Sequence, residues 1–323
     1  MVTESITFSS QTTKMKIVFY SPEKNPQPWL DEIANAFPDV DVWAWTPACA
    51  ERQADYAVLW APPEELIAAQ HQLKAVFNIG AGVDRVMNLP NLPSGLPIVR
   101  LNDAGMAVQM AEYVCHALSR HTRQFDVYEG HAKNHIWKIE RPINRAAYPI
   151  GIMGLGSIGA RVATAVAAFE YPTFGWSRSV KSMLGIKTYA GSEGLDEFLR
   201  RIRVLVCLLP LTEETEGILN KMTLAKLKPD AYLINVARGR HLVEDDLLAL
   251  LNSGHLAGAT LDVFCEEPLA EGHPFWTHPK ITVTPHISAI TLRTESVAQI
   301  AQKIFALECG DTIEGAVDRV RGY

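Results

Sequence analysis

The sequence predicts two doubly wound α/β units with parallel sheets, and three observations carry that prediction. Short apolar segments alternate with helix-like ones, in two successive series. The glycine-rich turn Gly154-Leu155-Gly156-Ser157-Ile158-Gly159 lies between a strand-like run and an apolar helix-forming run. The 323 residues suit about two domains on a prior of roughly 150 residues each.

Residues 1–14 lack the basic start and apolar centre of a signal peptide and read as a disordered polar leader. From Met15 the first series begins, with strands expected at Lys16–Tyr20, Asp41–Trp45, Tyr56–Trp60, Ala75–Asn78 and Ile98–Leu101. Helix-like stretches such as Pro28–Ala36 and Glu64–Gln70 lie between them. A long helical segment, Gly105–Arg123, leads into the polar, aromatic-containing connection Gln124–Ala147. Connections of that length are often functional or intersubunit. The second series starts at Ile150 and continues through Thr173–Trp176, Val204–Leu208, Ala231–Val236, Ala259–Val263 and Ile281–Val283. Thr291–Glu308 is again helical, with no strands after it, so it is expected back on the first unit. That unit is therefore discontinuous, comprising 15–112 and 292–323, with 113–291 as the second domain.

A charged fraction of 20% and a hydrophobic fraction of 48% are those of an ordinary globular protein. A net charge of −6 without a basic block argues against nucleic acid as a partner. No apolar run approaches the ~18 residues that span a bilayer, so no membrane is expected. The five cysteines are scattered without a CxxC pair, which points to free thiols and a cytoplasmic location, with no metal.

Chemistry concentrates at the ends of the second series of strands, where open α/β sheets gather ligands. Gly154 makes a tight turn off its strand, Gly156 clears an approach for a pyrophosphate, and Gly159 lets the helix pack close. The next strand ends in Trp176-Ser177-Arg178-Ser179. No acidic residue stands there to take ribose hydroxyls; Arg178 and Lys181 supply positive charge, which suits a 2′-phosphate and favours NADPH, with NADH the weaker cofactor. Arg238 directly follows an apolar strand, and its planar fork suits a carboxylate and the neighbouring carbonyl. Arg240 competes for that reading, and both also fit surface ion pairs. Asp262, Glu266 and Glu267 follow another strand, and His286 ends the last one, which lifts it above the other nine of the ten histidines.

Gly154-x-Gly156-x-x-Gly159, Asn235-x-x-Arg238-Gly239, Asp262-Val263-Phe264-x-x-Glu267-Pro268-Leu269 and Pro285-His286, in that order, resemble the D-2-hydroxyacid dehydrogenase family. The likeness extends over the chain from Met15. Asn78 to Asp84, the Trp176–Ser179 cluster and the ending Val317–Tyr323 resemble, more narrowly, the bacterial glyoxylate/hydroxypyruvate reductase A group. The resemblance implies a Rossmann cofactor domain inserted in a discontinuous, flavodoxin-like substrate domain, and a homodimer, with Ala111–Ala147 as the candidate interface. It implies NADPH-dependent reduction of small 2-oxo acids, glyoxylate to glycolate and hydroxypyruvate to D-glycerate.

Residue by residue, it implies that Arg238 holds the substrate carboxylate and polarises its carbonyl. His286 donates the proton and Glu267 pairs with it; a carboxylate beside an imidazole favours the cation. Gly80, Ala81 and Gly82 offer backbone N–H groups to the substrate. The cofactor positions are Gly154, Leu155, Gly156, Ser157, Ile158, Gly159, Ser177, Arg178, Ser179, Lys181, Leu209, Pro210, Val236, Ala237 and Asp262. Two alternatives stay open. One is a reductase of a bulkier 2-oxo acid, with Trp45 and Met106–Met110 setting pocket size; the other is a dinucleotide-sensing binding protein.

Overall fold

The apolar runs of the N-terminal region pair as one parallel sheet. In this computed structural model the described residues are 14–37 and 39–322; the expected leader, apart from Lys14, lies outside them. Strands β1 (Lys16–Tyr20), β2 (Asp41–Ala44), β3 (Tyr56–Leu59), β4 (Ala75–Asn78) and β5 (Ile98–Arg100) lie in the order β2-β1-β3-β4-β5. That is the flavodoxin-like order, reached by crossover connections through helices. The three central strands read as nearly unbroken apolar runs because helices cover both faces. Helix α1 (Gln27–Ala36) opens on prolines and buries Trp29 and Ile33; α2 (Glu64–Ala69) carries Glu64 and Glu65 in its first turn. The short α3 (Asp84–Met87) follows β4.

The late helix Arg293–Glu308 returns to this unit. It buries Val297, Ile300, Ala301 and Ile304, and its Phe305 ring lies 5.6 Å from that of Phe37. The unit is thus discontinuous, as the sequence predicts.

The second unit begins with α4 (Met106–Thr122) and α5 (Phe125–Lys133). It then runs β6 (Ile150–Met153), α6 (Ser157–Ala167), β7 (Thr173–Ser177), β8 (Lys187–Ala190), α7 (Gly191–Arg201) and β9 (Val204–Cys207). Next come α8 (Lys221–Leu224), β10 (Ala231–Asn235), α9 (Glu244–Asn252), β11 (Leu256–Leu261) and β12 (Ile281–Val283), leaving Arg293–Glu308 as α10. The seven strands are all parallel, ordered β12-β11-β10-β9-β6-β7-β8. The chain builds outward from β6 to β8, then returns to the other side of β6 with β9. The reversal puts a crevice between the carboxyl ends of β6 and β9, where such sheets bind ligands.

One face of this sheet packs with Phe198, Leu199, Leu247 and Leu251. The other packs Val114 and Leu118 of α4 against Val162 and Val166 of α6. That second contact decides the boundary. The units divide at 101/102 and 292/293, because all of α4 is packed on the second unit rather than cut near residue 112. Residues 318–322 also fall with the second unit, where they were expected on the first. Two elements depart from the sequence reading. The edge strand β8 buries only Tyr189 and carries little apolar signal; α5 buries nothing and read as irregular connection.

Candidate active site

The turn after β6 uses each glycine for a different reason. Gly154 has φ +107°, and a Cβ there would stand 2.6 Å from the Leu208 carbonyl oxygen beyond β9. At Gly159, in the first turn of α6, a Cβ would be driven to 1.8 Å from the Gly154 oxygen, so the helix seats directly on the turn. A Cβ on Gly156 would meet nothing within 4 Å, which leaves one side of the turn open. No side chain caps α6, so its first N–H groups point off the helix end. Open backbone over an uncapped helix N-terminus fits a dinucleotide pyrophosphate. Leu155 is buried instead, filling the space left by the hydrogen of Gly175.

At the end of β7, Ser177 is buried and its hydroxyl donates to the Ser179 carbonyl at 2.8 Å, shaping the turn. Arg178, Ser179 and Lys181 are exposed on that turn, and the stretch from Trp176 to Ser192 contains no acid. Beyond β9, Leu209 is buried and the Pro210 carbonyl accepts from the Thr215 hydroxyl at 2.7 Å.

The loop after β10 is tied by Asn235, which is fully buried. Its amide donates to the Arg238 carbonyl at 3.1 Å, and its oxygen accepts from the Ala237 N–H at 3.3 Å. Val236 and Ala237 are buried; Arg238 is half-buried, with Nη1 donating to the Ala237 carbonyl at 2.8 Å. Gly239 lies against the backbone of Phe264, where a Cβ would come within 1.8 Å, and this brings the β10 loop onto the β11 loop. Arg240 is exposed and pairs with Glu216 at 2.6 Å. His241, fully buried, has its ring nitrogens 3.1 Å from the Arg238 carbonyl and 3.2 Å from that of Pro210.

Asp262 is fully buried at the end of β11 and accepts three bonds. They come from the N–H groups of Ile287 (2.9 Å) and Ser288 (2.8 Å) and the Thr284 hydroxyl (2.5 Å). Thr284 is in turn joined to the phenol of Tyr113 on α4, whose pKa burial pushes up to about 12. With the His286 N–H bonded to the Asp262 carbonyl at 2.8 Å, four bonds tie the turn after β12 to this one residue. His286 itself sits at φ +56°, in the left-handed region that few non-glycine residues occupy. Strain of that kind persists where surrounding bonds over-determine the backbone, and it clusters at functional sites.

The His286 ring is fixed by Glu267: Nδ1 lies 2.9 Å from Oε2, while Oε1 accepts from the Phe264 N–H at 3.1 Å. With Nδ1 engaged, Nε2 is the ring nitrogen that makes no hydrogen bond among the described residues. Glu266 is exposed and takes no part in this pairing. Partial desolvation and the neighbouring Glu244 carboxylate lift the thiol of Cys265, an exposed residue, to about 11, and full burial lifts the Cys207 thiol to about 12, so neither is an activated nucleophile. Among the described residues no three His, Cys, Asp or Glu side chains converge as a metal site.

In the first unit, Gly80, Ala81 and Gly82 follow directly on β4. A Cβ on Gly80 would clash with the Trp60 ring, at 1.8 Å from its nearest atom, so the loop packs directly against that indole. Thr284, Tyr113 and His241 were not legible in the sequence as site residues. Nothing in their local pattern marks them, and their contacts arise between elements that meet only in the fold.

Residues 115–288 match the D-isomer specific 2-hydroxyacid dehydrogenase family, NAD binding domain. Glyoxylate/hydroxypyruvate reductase A of Serratia proteamaculans is 46% identical over 314 residues, covering 96% of this chain and 100% of that protein. Among solved structures, a D-isomer specific 2-hydroxyacid dehydrogenase from Xanthobacter autotrophicus, in complex with NADPH and MES, is similar with a TM-score of 0.90. It is 37% identical, over 96% of this chain and 100% of its own. An NADPH-dependent glyoxylate/hydroxypyruvate reductase from Sinorhizobium meliloti, in complex with NADP and sulfate, is 38% identical, with a TM-score of 0.90 and the same coverage. By sequence, fold and strand-end chemistry alike, this chain belongs to the family of D-isomer specific 2-hydroxyacid dehydrogenases, which are NAD(P)-dependent oxidoreductases.

Proposed function

We propose that this protein uses NADPH to reduce glyoxylate to glycolate and hydroxypyruvate to D-glycerate. The observation that carries the reading is the Glu267–His286 pair, held at 2.9 Å on a turn anchored by Asp262. When bound, NADPH supplies the hydride that reaches the substrate's carbonyl carbon. His286 gives its Nε2 proton to the carbonyl oxygen as negative charge develops there, a contribution of about 10²–10⁴-fold. Glu267 keeps the ring oriented through the 2.9 Å contact to Nδ1, which leaves Nε2 to face the carbonyl oxygen. Arg238 binds the substrate carboxylate and polarises the carbonyl, stabilising charge where it forms. Asp262 fixes the backbone beside the nicotinamide position. Gly80, Ala81 and Gly82 supply N–H groups to the carboxylate.

The Gly154–Gly159 turn takes the pyrophosphate, with Leu209, Pro210, Val236 and Ala237 along the cofactor's path. Ser177, Arg178, Ser179 and Lys181 take the 2′-phosphate, which an acidic residue there would repel. The named relatives and the NADPH- and NADP-bound neighbours support this reading.

The protein is further proposed to act as a cytoplasmic homodimer. All five cysteines are free, which suits a reducing compartment, and no helix among the described residues can cross a membrane. Ile136, Trp137 and Ile139 expose 49%, 98% and 83% of their surface in the connection after α5. Apolar side chains bared in series mark a contact surface. The deciding assay is steady-state oxidation of NADPH, and separately NADH, with glyoxylate, hydroxypyruvate and pyruvate. Turnover of the first two, faster with NADPH, is the expected result; no reduction of either with NADPH overturns the proposal.

A further inference from the structure

The end of β4 carries a polar residue where the core is otherwise apolar. Asn78 follows Ala75, Val76 and Phe77, and it is only 1% exposed. Its Nδ2 donates twice, to the carbonyl of Gly80 at 2.7 Å and to that of Gly82 at 3.1 Å. Its Oδ1 is buried and accepts no bond among the described residues. An apolar side chain would fill the same place without leaving a buried oxygen unsatisfied. What Asn78 adds is the pair of N–H groups.

Their effect follows from peptide geometry. In a trans peptide the carbonyl and the following N–H point in opposite directions. Turning the Gly80 and Gly82 carbonyls onto Asn78 therefore turns the N–H groups of Ala81 and Val83 away from it. Neither of these, nor the N–H of Gly80 or Gly82, makes a hydrogen bond among the described residues. The indole of Trp60 lies against Gly80 and holds that end of the loop from another side. Successive unbonded N–H groups on a fixed turn form an anion-binding nest.

We propose that Asn78 is the positioning residue that shapes the Gly80–Val83 loop into a carboxylate-binding nest. It acts through the backbone and does not touch the substrate. The inference rests on the reading of Gly80–Gly82 as the substrate-carboxylate loop. An aspartate of the same shape loses the donor pair and sets negative charge behind the loop. A serine keeps one donor and reaches one carbonyl at most.

The test compares wild type with Asn78→Asp and Asn78→Ser. It reads KM and kcat for glyoxylate, the dissociation constant of NADPH by fluorescence titration, and oxalate binding to the protein–NADP complex by calorimetry. The expected outcome is a KM at least ~10-fold higher for Asn78→Asp, with oxalate binding weakened in parallel. Its kcat and NADPH affinity stay within about threefold, and Asn78→Ser falls in between, as for a loss of uniform binding. A KM and oxalate affinity within twofold of wild type in both variants overturns the proposal, whatever happens to Tm. Should Asn78→Asp fail to fold, Asn78→Ser alone decides on the same readouts. Should wild type reduce neither substrate, the proposed function fails, while oxalate binding still tests the nest.

Discussion

At the scale of single residues, the proposed mechanism divides the chemistry between His286 and Arg238, and on that mechanism their loss should look different in kinetics. Removing the imidazole takes away the proton donor but none of the dinucleotide contacts. His286→Ala is expected to lower kcat by about 10²–10⁴-fold with an unchanged NADPH dissociation constant, measured by fluorescence titration. Loss of NADPH binding instead would make it a structural histidine. Arg238 acts on both ground state and transition state, so Arg238→Ala should raise KM and lower kcat together. A fall in kcat/KM of at least ~10²-fold is expected, and near-normal kinetics would remove the arginine from the mechanism. Arg240→Ala serves as the contrast, since its partner is the exposed Glu216 and exposed pairs contribute little.

Packing at the scale of elements makes two further outcomes checkable. The seat of α6 on the Gly154 carbonyl leaves no room for a methyl at position 159. Gly159→Ala is expected to shift the helix off the turn, weaken NADPH binding at least ~10-fold and destabilise the fold by roughly 1–3 kcal/mol. Wild-type affinity in a dinucleotide titration would mean that the close seat is not needed for binding.

The second outcome concerns α4 and β10, where the His121 ring stacks on Tyr232 at 4.1 Å with its Nε2 buried and without a hydrogen bond among the described residues. Burial holds its pKa down at about 4, against an ordinary 6.5. The folded state therefore binds fewer protons than the unfolded chain below that ordinary value. Stability falls as pH drops from 6.5 towards 4 and is constant in this respect above 6.5. The loss is at most about 3 kcal/mol, and denaturant titrations at pH 7 and 5 should show His121→Phe less sensitive to acid than wild type. Equal acid sensitivity of the two proteins would refute it.

For the whole molecule, the chain's path through its two units matters more than either sheet alone. The N-terminal unit closes only when α10 returns to it, so its core depends on residues nearly the whole chain apart in sequence. The exposed Trp137, Ile136 and Ile139 give the second unit an apolar surface that a second copy would cover. Trp137→Glu is expected to shift the protein from dimer to monomer in light scattering, because a charge in a desolvated contact is costly. A monomeric wild type would overturn the dimer outright.

Much of this was legible from local chemistry. Strand periodicity reports burial on the spot, and the demand for glycine at 154 and 159 is a demand of neighbouring backbone. The fold class, the dinucleotide turn and the family resemblance follow from such local signals, as does the acid-free stretch at Ser177–Lys181. Sheet order is a non-local choice, and it decided the rest. It set β9 beside β6, gave Arg240 its partner Glu216, and tied the His286 turn to Asp262. The packing of α4 on α6 drew the unit boundary at Leu101 rather than near residue 112. Asn78 read as the end of an apolar strand; only the folded loop turned its amide onto two carbonyls. Sequence spacing records what each residue needs from its neighbours along the chain, whereas a bond between loops exists only after the sheet has brought their strands side by side.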